Sequence, residues 1–161
     1  MIFQSSLPSG YTIFCDDIRH EVGGKLTLVG VYSGEMIYNG PAPGRAPVLA
    51  ALVTLRVAPV HPELDVLLRI TFESAVGERL LGESHFKMAE KTKADLAPLP
   101  LDAGTTNRFG SLRVPWQARN VKFESAGRVK VRAYIGDDEV HLGALRVGFA
   151  PQADEADTAT G

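Results

Sequence analysis

Short runs of β-branched, aromatic and aliphatic residues alternate along the chain with breaks that carry glycine and proline. The sharpest two-residue period is in Arg128–Ile135, where Val129, Val131, Ala133 and Ile135 alternate with Arg128, Lys130 and Arg132. That pattern predicts a strand with one face in the core and a basic face in water. Leu64–Glu73 alternates in the same way, with Val66, Leu68, Ile70 and Phe72 on one side. Thr12–Ile18 and Lys25–Tyr32, separated by Gly23-Gly24, read as a hairpin. The second of these runs is apolar on both faces, which predicts a central strand. Val48–Ala58, Arg79–Met88, Gly110–Pro115, Ala118–Phe123 and Glu139–Phe149 are further strand candidates. Those from Gly110 onward suggest a meander turning at Ala126-Gly127 and Gly136-Asp137-Asp138. Residues 39–47 hold three prolines and two glycines and read as a loop. Residues 89–106 read as a long surface connection with room for one short helix before Pro98 and Pro100.

About eight strands and at most one short helix predict an all-β fold: an antiparallel β-sandwich of immunoglobulin-like layout, with a distorted barrel as the second choice. Composition agrees, because 16 glycines and 10 prolines in 161 residues exceed ordinary usage and fall between the apolar runs. The length suits one domain over residues 1–150, followed by an acidic tail, 151–161, with no aromatic or large aliphatic residue and an expectation of disorder. The single cysteine, Cys15, cannot form an internal bridge. With no signal-like N-terminus and no long apolar run, the expected location is the cytoplasm and no membrane contact is expected.

One segment stands apart: Phe14-Cys15-Asp16-Asp17-Ile18-Arg19-His20-Glu21-Val22-Gly23-Gly24-Lys25-Leu26-Thr27-Leu28-Val29-Gly30-Val31-Tyr32. It resembles the opening signature of a family of small uncharacterised bacterial and phage proteins, with its Cys-Asp-Asp-Ile-Arg, a Glu, a Gly-Lys pair and a Gly-Val-Tyr strand. The resemblance implies a β-sandwich and brings no activity with it.

Chemistry is sparse. Asp16 and Asp17 are adjacent, so on a strand they point to opposite faces and cannot act as a carboxylate pair. Asp17 and Arg19 share a face and suit a charge-assisted pair. Cys15 has no base beside it in sequence and reads as a small core residue. A structural role is therefore expected for Cys15, Asp16, Asp17, Arg19, Glu21 and Lys25. The four histidines show no metal-ligand spacing, Gly23-Gly24-Lys25 precedes a strand rather than the helix a phosphate loop needs, and no Gly-x-Ser-x-Gly elbow occurs. No cofactor, metal or catalytic residue is expected.

Net charge is −2, which argues against general nucleic-acid binding. Locally the balance differs: residues 108–132 carry seven basic side chains against one acid, Glu124, with Trp116 and Phe123 among them. Arg113, Arg119, Arg128, Lys130 and Arg132 are thus candidates for an anion or partner face, against the plainer reading that they form the wet side of a strand or guard an edge. The function expected is a non-catalytic binding or interaction module, whose partner is another protein or a second copy. A phage-associated assembly subunit is the alternative, and an unrecognised enzyme the third.

Overall fold

A computed structural model describes residues 8–57, 64–88 and 110–151. It contains nine strands: β1 Ser9–His20, β2 Leu26–Val31, β3 Glu35–Asn39, β4 Gly44–Val57, β5 Leu64–Ser74, β6 Gly77–Met88, β7 Gly110–Phe123, β8 Gly127–Ile135 and β9 Asp138–Ala150. They form a four-stranded sheet ordered β2-β1-β4-β7 and a five-stranded sheet ordered β3-β9-β8-β5-β6. The sheets pack as a sandwich and do not close into a barrel. All pairings are antiparallel except β3 with β9. The described residues include no helix, so none long and apolar enough to cross a membrane.

The core forms where the two-residue periods meet. Leu49, Ala51, Val53 and Leu55 of β4 face Val66, Leu68, Ile70 and Phe72 of β5 and Val129, Val131 and Ala133 of β8, all buried. Phe72 meets Phe123 edge to face at 4.9 Å, and Tyr38 stacks on Phe149 at 5.4 Å. β9 does not alternate cleanly because it carries a bulge: Gly143 pairs with Val131 and His141 with Arg132, leaving Leu142 as an extra residue. Leu142 is buried, so the bulge changes which residues point inward.

Several expectations need correction. Residues 39–47 are not wholly loop, since β4 begins at Gly44 and pairs Gly44, Arg45 and Ala46 with Phe123, Lys122 and Val121. Gly110–Pro115 and Ala118–Phe123 are one strand. Pro115 is accommodated opposite Leu52 because β7 is an edge strand, where a missing N–H can face away from the ladder. The break falls instead at Asn120, whose φ is 53°, opposite Pro47. There both strands change which residues face inward: Leu49 and Val114 on one side, Ala46, Val121 and Phe123 on the other.

The C-terminal strands are not a meander, because β7 and β8 lie in different sheets. β2 is an edge strand rather than a central one, and Val31 is 57% exposed. β3 was not anticipated. The short helix, the 89–106 connection, the link through Pro59-Val60-His61-Pro62 and the tail beyond Pro151 lie outside the described residues.

Candidate functional site

β1 changes partner midway. It pairs with β4 from Ser9 to Cys15 and with β2 from Cys15 to His20. Beyond Cys15 the β1–β2 ribbon leaves β4 and folds over the outer face of the four-stranded sheet. There it closes a second, smaller apolar cluster: Cys15, Ile18 and Ala50 are buried, with Leu26, Leu28 and Leu52 packed against them. Gln117 of β7 reaches across Ala50 to hold the ribbon, its Nε2 donating to Asp17 Oδ1 at 3.1 Å and to the Ile18 carbonyl at 3.2 Å. Ala50 pairs with Cys15 on one side and Gln117 on the other, and only a residue this small leaves that path open.

Each member of the Cys-Asp-Asp-Ile-Arg segment is engaged within the chain. Asp16 accepts a hydrogen bond from the Tyr32 hydroxyl. Burial and the Asp16 carboxylate together push the Tyr32 phenol well above its ordinary pKa. Gly30 stands opposite Asp16 with φ of 66°, and a Cβ there would run into the Asp16 carboxylate. Glycine is required on both counts. Asp17 pairs with Arg19 at 3.3 Å. The Glu21 amide donates to the Lys25 carbonyl at 2.8 Å and closes the turn, while both side chains stand in water.

Cys15 is fully buried. Its thiol donates to the Asp17 carbonyl at 3.4 Å, and desolvation first, with Asp16 and Asp17 adding to it, pushes its pKa up. That is the reverse of what a nucleophilic thiolate needs. His20 is exposed, His85 pairs with Asp65 and His141 lies 3.5 Å from Glu139; His61 is outside the described residues. Among the described residues no group of His, Cys, Asp and Glu could hold a metal ion. A shallow cavity of about 220 Å³ opens between the β5–β6 turn and the β7–β8 connection, lined by Phe72, Val76, Arg79 and Ser125. Arg79 is committed elsewhere, donating to the Lys122 carbonyl at 2.6 Å.

The five basic candidates do not form one face. Arg128, Lys130 and Arg132 lie on the outer side of the five-stranded sheet, on a central strand, so edge protection is not their role. Arg113 and Arg119 lie on the outer side of the other sheet, paired with Thr54 and Val48. On the five-stranded sheet, register neutralises most of the charge, though the exposed Arg128 has no carboxylate within 4.0 Å among the described residues. Lys130 pairs with Glu73. Arg132 lies 2.7 Å from Glu78 and 3.2 Å from Glu139. Arg69 lies 2.6 Å from Glu83 and Arg146 2.8 Å from Glu35. Thr71 donates to Glu78 at 2.6 Å, and this hydroxyl with Arg132 holds the Glu78 carboxyl below its ordinary pKa.

On the four-stranded sheet strand parity brings Arg56 of β4 to the side of Arg113 and Arg119, and the switch at Pro47 and Asn120 brings Arg45 there as well. All four are exposed, and among the described residues none has a carboxylate within 4.0 Å. Arg45 and Arg56 were missed because they lie far from the 108–132 segment in sequence. The alternation of Leu52, Thr54 and Arg56 was the available signal, and only the β4–β7 register joins it to Arg113.

A family model described as a family of unknown function, DUF6941, matches residues 10–148, from the start of β1 to the end of β9, and the chain belongs to that family. No curated protein matches the chain.

Proposed function

We propose that this member of DUF6941 is a non-catalytic binding module whose contact surface is the outer face of the four-stranded sheet. One observation carries the reading: Arg45, Arg56, Arg113 and Arg119 stand exposed there with no carboxylate partner among the described residues, while four of the basic residues on the opposite sheet are paired in register. Exposed charge left uncompensated on a rigid sheet is what a charged partner can use. The non-catalytic part of the reading is supported by the Cys15 segment, where thiol, carboxylates and guanidinium serve to fix the ribbon. The resemblance of residues 14–32 to small bacterial and phage proteins fits a small accessory module, and a lone buried cysteine suits the cytoplasm.

Size-exclusion chromatography with light scattering tests the reading against its alternative. A monomer or dimer across a wide concentration range is the expected result. Discrete large assemblies would point to an assembly subunit of the phage-associated kind and overturn it.

A further inference from the structure

We infer that the outer face of the four-stranded sheet docks an acidic segment of another protein, its carboxylates held by Arg113 and Arg119 and its apolar side chains lying between them; this rests on the binding-module reading. Arg113 and Arg119 are six residues apart on β7, on the same face, which places them about 20 Å from each other along the strand. Arg56 stands two pairs beyond Arg113, opposite Ser111, and Arg45 stands opposite Lys122 beyond Arg119. Lys122 itself is neutralised by Glu124 at 2.7 Å, so the arginines carry the uncompensated charge.

Between the two ends β7 presents Pro115 and then Gln117, which is bound to the ribbon at Asp17, so the apolar part of the face lies beside Arg113. Ile13, Leu52 and Pro115 stand directly opposite one another across β1, β4 and β7, and Tyr11 beside them is 47% exposed. The pattern is an apolar stretch beside Arg113, the ribbon edge at Gln117, and guanidinium groups at both ends. Its complement is an extended stretch with acids at its ends and aliphatic side chains in its middle. Guanidinium forks bind carboxylates in two-point fashion, which gives orientation as well as attraction.

The surface is poorly suited to single-stranded nucleic acid. Base stacking needs several exposed rings, and among the described residues Tyr11 is the one aromatic placed on this face. Trp116 packs against the core, with its indole against Gly82.

The test is fluorescence anisotropy at low salt with a fluorescein-labelled synthetic peptide that carries Asp and Glu at both ends of a Leu-Val centre. Binding of this peptide, and not of a version with Lys in place of the acids, is the expected result. R113E/R119E should weaken it about tenfold or more, and R113Q/R119Q by an intermediate factor. These side chains are exposed, so thermal melting should change little. R128E reverses an exposed arginine on the opposite sheet and should leave the affinity within about twofold. Equal weakening by R128E, or tighter binding of oligo(dT) than of the acidic peptide, overturns the inference. A monomer or dimer that ignores the acidic peptide at low salt also overturns it and leaves the module reading standing. Large assemblies in light scattering overturn the module reading, and the inference with it.

Discussion

The five-stranded sheet meets water with carboxylates and basic groups laid out in register across all five of its strands, from Glu83 on β6 to Glu35 on β3. The four-stranded sheet meets it with a ribbon folded over an apolar patch and, beside the ribbon, four arginines facing no carboxylate among the described residues. Both faces carry several basic side chains. What differs is the neighbour. Arg132 lies near Glu78 and Glu139 because β8 is flanked by β5 and β9, with β6 one strand further, whereas β7 is an edge and β4 offers Arg113 only Thr54. Strand order thus sets which carboxylates a basic residue can reach, which the count of charges does not contain, although Arg128 on the same central strand finds none among the described residues.

The contrast is sharpest in what holds each face together. On the ribbon side it is apolar burial: Ile18 is 6% exposed, and Ile18→Ala should cost about 2–5 kcal/mol, read by urea unfolding. Lys130→Ala on the opposite face should cost far less, and equal costs would erase the distinction. Gly30→Ala comes next. A side chain at φ of 66° is strained, and here it meets the Asp16 carboxylate, for a loss of about 1–3 kcal/mol. Because that clash sits in the ribbon covering Cys15, the variant should also speed labelling of Cys15 by a thiol reagent under native conditions. An unchanged labelling rate would mean the ribbon is not the cover.

The alternation of β5 and β8 was legible because period two reports directly which residues face the core. Burial of Cys15, the divergence of Asp16 from Asp17 and the pairing of Asp17 with Arg19 were legible for the same local reason. Period two says nothing about which strand lies alongside. Hence β2, apolar on both faces, has the pattern of a central strand, although one apolar face serves the ribbon's own cluster. β3 was invisible because five residues, Glu35–Asn39, pair in parallel with a strand more than a hundred residues away. Pro115 and Pro47 look like breaks in the sequence because the missing N–H is local information, while the edge position that excuses Pro115 is not. The basic face failed in the same way, joined in sequence across a β7–β8 connection that crosses between the sheets.

Smaller effects sharpen the comparison from the charged side. Thr71 and Arg132 depress the Glu78 carboxyl below its ordinary value of 4.5, so folding is stabilised while Glu78 is ionised. That contribution is fully present above pH 4.5 and is lost as pH falls through the lower folded-state pKa. Glu78→Gln should therefore flatten the acid limb of the stability curve below pH 4.5 and shift the neutral midpoint little, because Glu78 is 44% exposed. The smallest effect belongs to Glu35 and Arg146. They join β3 to β9 at 2.8 Å but are 53% and 61% exposed, so solvent screens the pair and fixing two long side chains offsets much of the attraction. A double-mutant cycle with Glu35→Ala and Arg146→Ala should give a coupling of about 0.2–1 kcal/mol. It should fade in about 1 M salt, where the screening length falls to about 3 Å. A larger, salt-resistant coupling would mean that the charged face, and not only the ribbon, holds its sheet together.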